Sequence, residues 1–190
     1  MTQLESIMMD ENKPMDWAAQ QSEVVQRMRK SGGLPGLARA EQIAGKGGRE
    51  ILEAMVSGNL PYPPMNDTMN LALLEVGDGR AVFQGIPQLA HYNPLGSVHG
   101  GWFASLLDSA LGCAIQSALP AGQSYTTAEL SIRIVRSASH KTGPLRATGR
   151  LVHAGDRLAT AEARVEDEHG KLYAHATTTC LVFDLSKRDA

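Results

Sequence analysis

Residues 93–108 read NPLGSVHGGWFASLLD. A turn-forming segment runs into a stretch that is apolar except for its last residue, Asp108. Between Arg80 and Glu129, Asp108 is the only Asp, Glu, Lys or Arg. From Gly100 onward, Trp102, Phe103, Leu106, Leu107, Ala110, Leu111, Ala114 and Ile115 recur at helical spacing. Ser105, Asp108, Ser109, Gly112 and Gln116 fall together on one narrow stripe of the same helix. A helix with so little polar surface must be covered on most sides.

The flanking segments supply the cover. NLALLEV and RAVFQGI stand on either side of Gly77-Asp78-Gly79, a sequence suited to a tight hairpin turn. After the helix come YTTAELSIRIVR, LRATGRLVHAG, RLATAEARVED and KLYAHATTTCLVF, each alternating apolar and polar residues. In the first of these Ala128, Leu130, Ile132 and Ile134 share one face, opposite Glu129, Ser131 and Arg133. Period-two alternation describes half-buried antiparallel strands, so the expected class is α+β: a curved antiparallel sheet wrapped around one long central helix. Residues 1–60 read differently. Asp16 caps an expected helix through WAAQQSEVVQRMRK, which stops at Ser31-Gly32-Gly33. A second helix is expected over 49–56, ended by Gly58 and the PYPP run. The division expected is a helical N-terminal extension over 1–60, lying over the domain or a neighbouring subunit, and a main domain over 61–185.

With 43% hydrophobic and 20% charged residues the chain can build a core. A net charge of −2 argues against a nucleic-acid partner bound through its phosphates. Residues 100–120 are long enough to span a membrane but contain Asp108 and Gln116 and have no flanking Lys or Arg, so a buried helix is the better reading. MTQLESIMMDENK has no apolar core and does not resemble a signal peptide, and the expected location is cytoplasmic. Cys113 and Cys180 read as buried free thiols. The histidines show no zinc-ligand spacing, and neither metal nor cofactor is expected. No serine sits in a G-x-S-x-G elbow. GKGG lacks the spacing of a phosphate loop.

Asp108 admits three readings: a structural carboxylate bonded to backbone or to Ser105 and Ser109, a solvated edge residue, or a catalytic base in a partly dry cleft. The step His99-Gly100-Gly101 bears on the choice. The free N–H of Gly100 at a helix N-terminus can polarise a carbonyl as an oxyanion hole does, although a turn needing flexible residues would look the same. Eight residues separate Gly100 from Asp108, about 12 Å of helix rise, so one chain cannot bring both to the same carbonyl. Two antiparallel helices in a dimer can.

Asn93, Gly96, His99, Gly100, Gly101 and Asp108 form N-x-x-G-x-x-H-G-G with an Asp nine positions after the His. This pattern resembles the hotdog-fold acyl-CoA thioesterases of the PaaI type, as do TTAELSIRIVR, GPLRATGRLVHAG and DEHGKLYAHATTT. The resemblance covers roughly residues 65–183. It implies a homodimer whose sheets join, often paired into a homotetramer, acting on an acyl-CoA. It implies further that Gly100 N–H and Asn93 bind the thioester oxygen and that Asp108 of the other subunit is general base or nucleophile. Thr127 would orient the water, and His99 would fix Asn93 and its loop. Gly101, His91 and Tyr92 are candidates for lining the substrate site, His91 and Tyr92 equally readable as packing. Trp102 and Phe103 read as core or as substrate contacts. Arg136, Arg150 and Arg157 are candidates for the coenzyme A phosphates, or ordinary solvated strand residues. Asp156 stands where relatives tend to carry a basic residue. The alternative function is a non-catalytic acyl-CoA-binding or sensing module on the same fold.

Overall fold

Residues 16–185 are described by the structure, a computed structural model; MTQLESIMMDENK lies outside them. The extension comprises α1 (Trp17–Lys30), the short α2 (Ala40–Ile43) and α3 (Gly48–Val56), followed by α4 (Met65–Met69). Next come β1 (Leu71–Gly77), β2 (Arg80–Gly85), α5 (Gly100–Gln116), β3 (Gln123–Ile134), β4 (Leu145–Ala154), β5 (Leu158–Glu166) and β6 (Leu172–Asp184). Asp16 caps α1 as its sequence predicts, Oδ1 accepting from the Ala18 N–H at 3.0 Å. The short helices α2 and α4 carry no hydrophobic period and went unforeseen.

The strands form one antiparallel sheet in the order β1-β2-β4-β5-β6-β3, with α5 against one face. Trp102, Phe103, Leu106, Leu107, Leu111 and Ile115 are at most 1% exposed. They meet Leu145 and Ala147 of β4, Ala159, Ala161, Ala163 and Val165 of β5, and Ala174, Ala176 and Cys180 of β6 in a single core. Trp102 and Phe103 are therefore core residues, their rings edge-to-face at 5.4 Å. Small residues on the sheet let the helix lie close. A Cβ on Gly149 of β4 would come within 2.2 Å of the Ala110 carbonyl oxygen.

The extension packs on its own chain. Val24 and Met28 of α1 join Tyr62, Ala72 and Leu74 in a second apolar cluster on the face of β1 away from α5. Gln84 of β2, fully buried, donates to the Trp17 carbonyl and to Gln21 Oε1, and accepts from Arg146 Nε. The Arg146 guanidinium stacks on the Trp17 ring at 3.9 Å. The N-terminus of α3 abuts the end of α5, Gly48 N–H donating to the Leu119 carbonyl at 2.9 Å.

One strand departs from strict alternation. β3 pairs with β6 through a bulge between Thr127 and Glu129. Beyond it Leu130, Ile132 and Ile134 oppose the inward-facing Thr178, Ala176 and Ala174; before it Thr127 and Tyr125 oppose the inward-facing Cys180 and Val182. The extra residue, Ala128, is exposed and has no register partner on β6. The buried Thr178 hydroxyl donates to the Glu129 carbonyl at 2.7 Å, supporting the irregular step.

Candidate active site

The bulge determines what faces Asp108. Unbroken alternation puts Thr127 on the side of Glu129, away from the helix; the bulge turns it toward α5. There the Thr127 hydroxyl donates to Asp108 Oδ1 at 3.1 Å. The partners Ser105 and Ser109, open to Asp108 on the structural reading, are not used. Ser105 instead donates to the Gly101 carbonyl one turn back. Asp108 is half-buried on the flank of α5 that looks toward β3, the edge strand.

Cys113, Tyr125 and Cys180 also lie within electrostatic reach of Asp108. Cys180 lies beneath Thr127, Sγ to Oγ1 4.0 Å, and within 3.8 Å of the Thr178 hydroxyl. Burial, reinforced by the Asp108 carboxylate, pushes the Cys113 thiol up to about 12. Burial likewise pushes Tyr125 well above the usual phenol range, with Cys113, Asp108 and Cys180 adding in that order. Both groups stay protonated at neutral pH. Tyr125, Thr178 and Cys180 carried no signal as site residues in the sequence, because alternation alone marks them as ordinary strand positions.

At the other end of α5 the HGG step has a steric explanation. His99 is the N-cap, its Nδ1 accepting from the Gly101 N–H at 2.8 Å. A Cβ on Gly101 would lie 2.9 Å from that nitrogen, so the imidazole cap and a side chain at 101 compete for one place. The Trp102 N–H turns back to the His99 carbonyl. Among the described residues the Gly100 N–H has no partner, which makes it the free donor of the first turn. A Cβ on Gly100 would touch Ile134 Cδ1 at 3.3 Å, so a side chain there would press on the end of β3.

His99 thus works on the helix rather than on Asn93. Asn93 is held by its own loop: Oδ1 accepts from the N–H groups of Leu95 and Ser97, and Nδ2 donates to Ser97 Oγ at 3.1 Å. One Nδ2 hydrogen remains for another acceptor. His91 is 7% exposed and stacks on Trp102; its Nε2–H donates to the Thr68 carbonyl and Nδ1 accepts from the Gln88 N–H. With both ring nitrogens engaged inside the fold, packing accounts for it. Tyr92 pairs its hydroxyl with His140, at 2.8 Å from Nδ1.

The three arginines do not converge. Arg136, just past β3, donates to the Leu172 carbonyl and lies 5.8 Å from the Tyr173 ring centre. Arg150 stands on the sheet face away from α5, in a shallow concavity with Glu162, Arg164 and Glu166. Arg157, in the β4–β5 turn, shares a cavity of about 880 Å³ with Asp156 and Asp184. Two carboxylates beside it make that cavity a poor cradle for a phosphate. Among the described residues no three His, Cys, Asp or Glu gather as metal ligands, and no helix is long and apolar enough to cross a membrane.

Comparison with known proteins agrees with this architecture. Residues 95–174 match the model of the thioesterase superfamily. A phenylacetic acid degradation-related protein of Ralstonia eutropha, described as a putative thioesterase, superposes with a TM-score of 0.62 at 28% identity, over 68% of this chain and 97% of that one. A point mutant of the phenylacetic acid degradation protein PaaI from Thermus thermophilus gives 0.56 at 28% identity, over 62% and 97%. The PaaI protein of E. coli shares the fold, with a TM-score of 0.62 at 20% identity over 72% and 93%. No curated protein matched by sequence.

Proposed function

From the match of residues 95–174 to the thioesterase superfamily model and the likeness of the fold to PaaI-type proteins, we propose that the chain hydrolyses an acyl-CoA thioester at a site shared by two subunits. The observation that carries the proposal is the Thr127–Asp108 hydrogen bond on the open flank of α5, with a free Gly100 N–H about 12 Å away on the same helix. A structural carboxylate would be enclosed by donors. Among the described residues Asp108 has one, and that donor's hydroxyl oxygen still has lone pairs to accept from a water.

In this mechanism Asp108 takes a proton from water as the water oxygen attacks the thioester carbon. Charge develops on the carbonyl oxygen, which accepts from the partner's Gly100 N–H and from the spare Nδ2 hydrogen of Asn93. Collapse of the tetrahedral species breaks the carbon–sulfur bond, and the proton held by Asp108 passes to the departing thiolate. In the variant with Asp108 as nucleophile, its carboxylate attacks the thioester carbon, and the carbon–sulfur bond breaks to release the thiolate and leave an acyl-carboxylate anhydride. Water then cleaves the anhydride to the free acid and the Asp108 carboxylate, its spare proton going to the thiolate. β3 is an exposed edge strand of twelve residues, and pairing it with a second β3 joins the two sheets and lays the α5 helices side by side. A dimer formed this way can pair again into a tetramer.

The test is complementation. Gly100→Pro removes the amide hydrogen at a position where a helix accepts proline, and Asp108→Asn removes the base. Each variant alone is expected to be inactive on an acyl-CoA panel, whereas mixed dimers regain one working site of two. Absence of recovery refutes the shared site. Tight acyl-CoA binding by the wild type without turnover favours the alternative, a binding or sensing module.

A further inference from the structure

The stripe that carries Asp108 continues one turn to Gly112, and the phenol of Tyr125 fills the space above it. A Cβ on Gly112 would lie 2.2 Å from Tyr125 Oη, 2.8 Å from Cζ and 3.0 Å from Cε2, so the ring edge rests on bare helix backbone. The bulge in β3 is responsible: it turns Tyr125 and Thr127, successive inward positions, toward α5 together. The residue that bonds Asp108 and the residue that covers Gly112 are therefore neighbours on one strand face.

An acyl chain leaving the reacting carbonyl has two directions along the stripe. Toward the helix N-terminus it meets Ser105 and the open first turn. Toward the C-terminus it meets Gly112, Cys113 and the Tyr125 ring, none of them charged, the thiol and phenol being held protonated by burial. An apolar acyl group takes the second direction, where burial is favourable. Four residues separate Asp108 from Gly112, about 6 Å of helix rise, before the ring blocks the way.

We propose that Tyr125 determines the acyl specificity of the site: seated on Gly112, it closes the acyl channel one helical turn beyond Asp108 and admits short or flat acyl groups while excluding long chains. The inference rests on the acyl-CoA reading above and adds the substrate class to it. Gly112 is part of the device, since any side chain there would displace the ring.

The experiment compares wild type, Tyr125→Ala and Tyr125→Phe on acetyl-, butyryl-, hexanoyl-, octanoyl-, dodecanoyl- and phenylacetyl-CoA. Wild type is expected to prefer the short and aryl members. Tyr125→Ala is expected to raise the long-to-short ratio of kcat/KM by about tenfold or more, the scale of a few methylenes in an apolar pocket. Tyr125→Phe keeps the ring and is expected to keep the wild-type profile. A folded Tyr125→Ala with an unchanged profile overturns the proposal. So does a Phe variant that behaves like Ala, because the hydroxyl rather than the ring would then be responsible. If the Ala variant does not fold, Tyr125→Leu takes its place with the same expectation in smaller measure. If wild type hydrolyses none of the panel, the hydrolase reading falls, and calorimetric Kd values for the same ligands decide about Tyr125 by the same shift. Absence of binding by every member overturns both.

Discussion

Replacing Gly149 with alanine tests how closely α5 and the sheet must approach for the site to exist. The new Cβ would stand 2.2 Å from the Ala110 carbonyl oxygen, 2.6 Å from its carbon and 3.1 Å from the Leu111 nitrogen. All three are backbone atoms of α5, so no rotamer change relieves the clash. Reaching an ordinary contact means moving from 2.2 to 3.4 Å, a separation of helix and strand of roughly 1.2 Å. Overpacking of this kind costs about 1–3 kcal/mol, and the buried side chains of α5 lose dispersion contact as the gap opens. For a chain of this size the melting temperature falls by about 2–12 °C. The same helix carries Gly100 and Asp108, and a misplacement of about 1 Å costs about 10²-fold in turnover. Thermal melting followed by circular dichroism and steady-state thioester hydrolysis read the two effects. Gly36→Ala is the control, because its Cβ meets nothing nearer than Pro61 Cβ at 3.5 Å. A Gly149→Ala protein that melts with the wild type would refute the claim that backbone contact at this point sets the helix position.

Thr127→Val keeps the shape of the side chain and removes the donor to Asp108. A partly exposed bond to a carboxylate is worth about 1.4 kcal/mol, so kcat is expected to fall about tenfold with little change in KM, while Thr127→Ser stays within about threefold; equal kcat for Val and wild type would contradict the water-orienting role. Cys113, pushed up to about 12 by burial, is expected to resist a disulfide reagent at pH 8 in the native protein and to react on unfolding. Its raised value also has a consequence for stability. The unfolded chain releases the thiol proton from about pH 8.5 upward and the folded chain does not, so stability falls as pH rises from there through about 12. Urea titrations of wild type and Cys113→Ala across that range check it, the alanine variant showing the shallower decline. Gln84→Ala leaves Gln21, Arg146 and the Trp17 carbonyl without their shared partner. It is expected to cost about 2–3 kcal/mol and to speed amide exchange in α1 more than in α5.

Much of the architecture was legible because it depends on patterns that chain-local physics enforces. An apolar helix with a single carboxylate must be enclosed, and alternating strands on both sides supply the enclosure. Asp16 capped the first helix and Gly77-Asp78-Gly79 turned the first hairpin for reasons contained in a few neighbouring residues. Small residues on α5 leave room for a close approach, but the sequence does not say which group approaches. In the fold Tyr125 covers Gly112, and Gly149 of β4 meets Ala110. Both neighbours are distant in sequence, and small residues do not encode what they admit. The arginines failed to converge for a similar reason. Each occupies a solvated strand or turn position, and only the sheet order shows how far apart those positions lie.

NPLGSVHGGWFASLLD by itself determined the helix, its free first amide and its lone carboxylate, and the rise per residue determined that the two cannot serve one carbonyl from one chain. The tertiary structure decided which side chains join Asp108. YTTAELS alternates acceptably in either phase, so nothing in it says that Ala128 is an extra residue; pairing of Thr127 with Cys180 and of Glu129 with Thr179 across β6 does. That one unpaired residue turns Thr127 and Tyr125 toward the helix, because in a strand a shift of one position exchanges the two faces.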